Sequence, residues 1–274
     1  MFKILFSLGL LLSFVSVAQT NRQLSNGQLA YYGQDFYSKK ITKELLQKVL
    51  SECHTIVNNK HDQISENCSS NSYRHTSVGY DSARKILFGE IYVLKDRKGT
   101  FVEDVYCHKK FYFSSLNDVS NMHTKVNIEH TWPQSRFNRT YDKNTQKSDM
   151  HHLYLTDSMA NNRRGNHEFG EAGNRHDELN VENCDDSQMT HINGDLKFTP
   201  PVGHRGNVAR SLFYFATRYD LQIARNEEAI LRQWHKAEPV DAEERATHEI
   251  VAKHQKVRNP FVDYPELVDT ITDF

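Results

Sequence analysis

After its first eighteen residues the chain has no apolar run long enough for a bilayer, which takes roughly 20 such residues. The rest is therefore expected to be soluble, with no membrane partner. Neither sign of charge is in excess: 34 Lys and Arg stand against 35 Asp and Glu. Bulk charge thus advertises no polyanionic partner, and any attraction to phosphate must be local. There is no CxxC spacing, which argues against a cysteine zinc site. There is no HExxH either. His248-Glu249 followed by His254 comes nearest, but its histidines are six apart, where one helix face needs four. Internal repeats, low-complexity tracts and domain linkers are also lacking, so one compact domain is the simplest reading.

What is present begins with an export signal. Lys3 precedes an apolar stretch ending at Ser16-Val17-Ala18, a small-x-small cleavage pattern. Residues 1–18 read as a secretory signal peptide. Four cysteines follow, Cys53, Cys68, Cys107 and Cys184. An even count in an oxidising compartment predicts two disulfides, with three pairings open. The expected location is periplasmic or secreted.

Residues 19–40 are polar and read as an N-terminal arm, with a single domain over 41–274. Leu45, Val49, Cys53 and Ile56 recur at helical spacing, which predicts a helix over 41–57. Residues 58–72 read as a polar loop. Phe101, Val102, Val105 and Tyr106, then 111–113, suggest strands. Residues 165–199 hold much Gly, Asn, Asp and His and read as long irregular structure. The final third is helical. Val208, Leu212, Phe215 and Tyr219 form a core-facing stripe. Asp241 with Glu244 resembles a capping box opening another helix, which Pro260 stops. The fold class is α+β.

Two segments carry chemistry. In 127–137 Glu129 adjoins His130. The carboxylate offers hard oxygen to Mg²⁺ or Ca²⁺, and the imidazole can take a proton from water. On a strand the two side chains point to opposite faces, so one site could use both only where the strand ends. In 149–170, Met150–Leu155 reads as a second strand. Asp157 caps a short helix that Gly165 ends, and Asn161 and Arg164 share one of its faces. Asn161 suits a hard cation and Arg164 a phosphate. Taken singly, each segment matches an ordinary polar surface. Strand, strand and short helix in that order make a ββα layout.

With these residues the chain resembles the endonuclease I family of bacterial exported nucleases, within the ββα-metal (His-Me finger) class. The matching stretches are Glu129-His130-x-Trp132-Pro133-x-Ser135-x-Phe137, Asp149-Met150-His151-His152-Leu153, Asn161-x-x-Arg164-x-Asn166 and Phe169-Gly170. Phe198-x-Pro200, Gly206-Asn207-Val208-Ala209-Arg210, Tyr219, Trp234-His235, Pro239 and Gln255-x-x-Arg258-Asn259-Pro260-Phe261-Val262-Asp263 follow in order. The resemblance spans roughly 75–270, and it is the ordered series that makes it specific.

The resemblance implies a ββα-metal core and an endonuclease that hydrolyses DNA with little sequence preference, leaving 5′-phosphate ends. RNA stays open as a second substrate. His130 would be the general base. Glu129 and Asn161 would hold one Mg²⁺, with Mn²⁺ or Ca²⁺ possible there. An arginine would hold the phosphate: Arg136, Arg139 and Arg164 are candidates and Arg164 is preferred. The adjacent His151 and His152 are read as structural, and Trp132 and Trp234 as core. Arg205, Arg210, Arg218 and Arg225 could line a phosphate track or merely a solvated face. A monomer is the default. The competing readings are an inactive secreted nucleic-acid-binding protein and a different phosphodiesterase.

Overall fold

The computed structural model describes residues 30–115, 117–118, 122, 124–171 and 177–274. The leader assigned to 1–18 and the first part of the arm lie outside the described residues. From residue 30 the polar stretch is docked: helix α1, Gly33–Ser38, follows Tyr31 and Tyr32, and both tyrosines and Phe36 are buried in the main core. Helix α2, Lys43–Ser51, opens on Thr42, whose hydroxyl accepts from the Leu45 amide at 3.2 Å. Its inward face is Leu46, Val49 and Leu50.

The sequence reading carried this helix to residue 57, but it stops at Ser51. Glu52 turns extended, and Cys53 begins strand β1, Cys53–Thr55, between β2, Gln63–Ser65, and β3, Ser72–Tyr73. The supposed loop over 58–72 therefore supplies sheet partners. A Cys53–Cys68 disulfide closes this unit. Apolar spacing could not reveal the switch, because Cys53 is buried in either geometry.

Helix α3, Tyr80–Ile86, runs on into a π-helical turn, Leu87–Ile91. Strands β4 (Leu94–Asp96), β5 (Gly99–Glu103) and β6 (Lys110–Phe113) form an antiparallel meander. Strand β7, Val126–His130, comes next, then helix α4, Lys143–Lys147. The strand expected over Met150–Leu155 starts later. Asp149 accepts from the His151 amide and caps a 3-10 turn over Met150–His152, and β8 is Leu153–Asp157. Strands β7 and β8 pair antiparallel, with Glu129 opposite Tyr154 and His130 opposite Leu153. Helix α5, Ser158–Arg164, is capped by Asp157, which accepts from the Met159 and Ala160 amides. Gly165 ends it at φ 57°, a backbone that favours glycine.

The long segment before residue 200 is not irregular throughout. After β9, Asp177–Glu178, strands β10 (Gln188–Ile192) and β11 (Asp195–Thr199) form a hairpin. Its two-residue loop is Asn193-Gly194, both at positive φ, as a type I′ turn requires. That dipeptide was the sequence signal that the abundance of polar residues obscured.

The last third is helical as expected: α6 (Arg205–Arg218), α7 (Arg225–Ala237), α8 (Ala242–Gln255), then short α9 (Pro260–Asp263) and α10 (Leu267–Thr270). Asp241 caps α8 by accepting from the Glu244 amide at 2.8 Å. Helix α6 is buried on nearly every side, and Leu212, Phe213, Phe215 and Tyr219 anchor the main core. Each such side chain stabilises the fold by roughly 1.5–3 kcal/mol. A second core lies under the ββα unit, where Ala83, Leu87, Phe88 and Val102 meet Val126, Ile128, Leu153 and Leu155. This α+β arrangement places β7, β8 and α5 between two cores.

Candidate active site

Alternation along β7 sends Val126 and Ile128 into the second core and turns Asn127 and Glu129 toward α5. His130 is the last residue of the strand. It lines the same cavity as Glu129, as it could only at a strand end. The cavity, about 260 Å³, is walled also by Tyr80, Gln134, Ser135, Asn161, Arg164 and Asn166. All four residues singled out in the sequence, Glu129, His130, Asn161 and Arg164, therefore meet around one space.

The surroundings of His130 settle its tautomer. Nε2 lies 3.0 Å from the Lys147 carbonyl, which can only accept, so Nε2 carries the hydrogen. In the neutral ring Nδ1 then holds the lone pair. The Gln134 amide lies 3.4 Å from it. Burial, helped by nearby His152, pushes the imidazole pKa down to about 3. The ring is thus neutral across the physiological range. It stacks on Tyr80 with centroids 5.7 Å apart, and Lys147 Nζ lies 4.3 Å from the Tyr80 centroid.

Glu129 is 2 % exposed. Burial raises its pKa, while Arg164 and Tyr106 draw it back. Arg164 Nη1 and Tyr106 Oη both approach Oε1, each at 3.1 Å. Oε2 has no hydrogen-bond partner among the described residues. Asn161 donates its amide nitrogen to the Ile128 carbonyl at 3.4 Å, which commits the NH₂ end and leaves Oδ1 as the free donor atom. Two hard oxygens without hydrogen-bond partners among the described residues therefore belong to walls of the cavity, and no thiol lies among its described walls. That donor set fits a hard divalent cation.

Arg164 is less exposed than a phosphate-binding group would suggest. Its guanidinium is buried and donates to the carbonyls of His130, Thr131 and Gly165, at 3.3, 2.6 and 3.2 Å. It also lies over the Phe169 ring. It ties the end of β7 to the end of α5. Tyr106, Gln134, Tyr80 and the Lys147 carbonyl were missed in the sequence reading. Gln134 lies inside a matched stretch and could have been found there. Tyr106 lies 23 residues before Glu129 and carries no local signal.

Of the four arginines offered for a phosphate track, Arg225 is exposed at the start of α7, and the other three face protein partners. Arg210 is buried, donating to Glu244 at 2.6 Å and to the Glu238 carbonyl. Arg218 is buried beside Asp149, and Arg205 pairs with Glu171. A helix enclosed on nearly all sides can keep arginines only by pairing them internally. The histidine pair is structural: His151 Nε2 meets the Val257 carbonyl and His152 Nε2 the Gln146 carbonyl, each at 2.9 Å. Trp132 and Trp234 are core residues.

A second group, His248, Glu249 and Asp263, also brings ligand-type atoms together. Arg258 fills its centre, donating to both carboxylates. The second disulfide joins Cys107 to Cys184.

The sequence profile of the Endonuclease I family matches residues 47–266. The chain is 33% identical over 166 residues to an extracellular ribonuclease of Bacillus subtilis (strain 168), covering 53% of each protein. It is 32% identical over 167 residues to an extracellular ribonuclease of Bacillus amyloliquefaciens, again 53% of each. A periplasmic deoxyribonuclease of Aeromonas hydrophila is 26% identical over 121 residues, 44% of this chain and 49% of that protein. The chain thus spans about half the length of the curated relatives it matches.

Proposed function

Because the chain belongs to the endonuclease I family, we propose that it is an exported, metal-dependent endonuclease that hydrolyses phosphodiester bonds of DNA with little sequence preference. The observation that carries this reading is one cavity bordered by the lone-pair nitrogen of a neutral histidine and two unpartnered hard oxygens. His130 Nδ1 takes the proton from the attacking water. Its Nε2–H bond to the Lys147 carbonyl keeps the ring in that tautomer and aimed. Glu129 Oε2 and Asn161 Oδ1 would hold the ion, Mg²⁺ by preference with Mn²⁺ or Ca²⁺ as alternatives. Bound there, it would supply charge stabilisation at the phosphate and the departing 3′ oxygen, leaving a 5′-phosphate.

The same reading includes removal of residues 1–18, an arm over 19–40 that packs into the domain core from residue 30, a nuclease domain over 41–274, a monomer, and a periplasmic or secreted location. The extracellular and periplasmic names of the relatives and the two disulfides support the location. RNA is a second substrate to test, because two relatives are named ribonucleases. The deciding assay incubates the purified protein with plasmid DNA, and separately with RNA, in Mg²⁺, Mn²⁺ or Ca²⁺, with and without EDTA. Cleavage that EDTA abolishes is expected. Equal cleavage in EDTA, or none with any of the three ions, would overturn the reading.

A further inference from the structure

We propose that Tyr106 is a positioning residue for the metal-binding carboxylate: with Arg164 it fixes Oε1 of Glu129 and so presents Oε2 to the cavity. This rests on the metal-dependent reading of the site.

A glutamate carboxylate rotates broadly about its last torsion, with two roughly equivalent orientations. Nothing in β7 itself fixes how the carboxylate is turned. The Tyr106 hydroxyl donating to Oε1, with the Arg164 cation against the same oxygen, does fix it. Tyr106 Oη and Arg164 Nη1 each lie 3.1 Å from Oε1. A neutral phenol supplies a donor without adding a positive charge that would repel the cation.

Tyr106 is itself held at several points, as an orienting group must be. The Asp104 carboxylate accepts from the amides of Tyr106, Cys107 and Lys109 at 2.8–3.0 Å. The Val105 amide donates to the Leu155 carbonyl on β8 at 2.9 Å. The Tyr106 carbonyl accepts from Ser187 Oγ at 2.8 Å. Its ring packs on Phe198 with centroids 4.7 Å apart. The phenol is fully buried, so solvent cannot replace its bond to Glu129. Arg164, with three backbone carbonyls besides Glu129, acts through the carboxylate and the strand end in this scheme.

The test is calorimetric titration of Mg²⁺ into the protein without nucleic acid, comparing wild type with Tyr106→Phe. The substitution keeps the ring and its packing and removes one hydroxyl. Loss of an outer-shell partner typically costs 10–100-fold in metal affinity or activity. We expect the Mg²⁺ dissociation constant to rise at least about tenfold, with an unchanged circular dichroism spectrum. Plasmid cleavage at saturating Mg²⁺ should return to within about threefold of wild type, since the general base is intact. Unchanged Mg²⁺ affinity in Tyr106→Phe would overturn the proposal, as would a loss of rate that excess Mg²⁺ does not restore. Arg164→Lys is the second variant. Weaker Mg²⁺ binding at unchanged KM for DNA supports positioning. A raised KM at unchanged Mg²⁺ affinity assigns Arg164 to the phosphate and sinks its part here. A wild type that binds no Mg²⁺ and cuts in EDTA would fault the metal-dependent reading instead.

Discussion

Among the described residues, the clusters around Glu129 and around His248 each combine a histidine, carboxylate oxygens and an arginine, yet of these two only the first is suited to a cation. Around Glu129, Arg164 Nη1 lies 3.1 Å from Oε1 without a hydrogen bond to the carboxylate, and Glu129 borders a cavity. Around His248, Arg258 donates to Asp263 Oδ1 and Oδ2 at 2.8 Å, and to Glu249 Oε1 and Oε2 at 2.7 and 3.1 Å. Tyr32 and His248 also bond Asp263. Residue types alone would rank the second cluster higher, since it has two carboxylates. The difference lies in where the positive charge sits. A guanidinium that engages both oxygens of each carboxylate is already the counter-ion, and a metal would have to displace it. A guanidinium on one oxygen orients the carboxylate and leaves a ligand atom.

Substitutions should separate the two clusters, and the largest effect belongs to His130. His130→Ala should cut plasmid 10²–10⁴-fold more slowly, roughly the value of positioned proton transfer, with its circular dichroism spectrum unchanged. A folded variant within a few-fold of wild type would remove His130 as the base.

Glu129→Gln should come next. It keeps the shape but replaces a charged ligand oxygen, and the Mg²⁺ concentration for half-maximal cleavage should rise about tenfold or more. No change in metal requirement would move the ion elsewhere.

Arg258→Met tests the second cluster as a structural one. It strands a buried Asp263, and urea unfolding should show a loss of about 3 kcal/mol or more. Mg²⁺ affinity of the folded fraction should be unaltered. A stronger Mg²⁺ site in that variant would show that Arg258 is a stand-in for a cation.

Acid should expose another contrast. Burial holds His151 and His204 neutral with pKa values near 3, and His152 near 4. An unfolded chain takes up a proton on each below about 6.5. The folded-state pKa values are depressed, so this stability is fully present above pH about 6.5 and is lost as pH falls toward them. The loss should reach on the order of 1–2 kcal/mol per histidine by pH 5. A melting temperature flat between pH 7 and 5 would contradict the neutral burial of these rings.

The smallest effect is expected at Glu249, whose side chain is 53% exposed. Glu249→Gln should shift both stability and Mg²⁺ requirement by little, because half-exposed ion pairs contribute about 1 kcal/mol or less. A large change in metal dependence there would exchange the roles of the two clusters.

The candidate site residues were legible mainly through the family resemblance, because local periodicity said less. Strand alternation sets Glu129 and His130 on opposite faces, and the one-turn spacing of Asn161 and Arg164 gives only a shared helix face. The Asp157 and Asp241 caps and the Gly165 stop were also readable, because capping is settled within four residues. The reading failed where local signals competed. Polar residues hid the Asn193-Gly194 hairpin, and helical spacing ran through Cys53 into a strand.

By itself the sequence determined that a helix N-capped at Asp157 follows a second strand and that four cysteines could make two bridges, and through the family resemblance it pointed to Glu129, His130, Asn161 and Arg164 as the candidates for phosphodiester chemistry. Only the tertiary structure decided that Cys53 joins Cys68 and Cys107 joins Cys184, how the Glu129 carboxylate is turned, and which histidine nitrogen holds the lone pair. Those outcomes depend on groups far along the chain, such as Tyr106 for Glu129 and the Lys147 carbonyl for His130. A hydrogen bond is set by position in space, and the spacing of residues along a strand or helix carries no record of what the fold brings to face it.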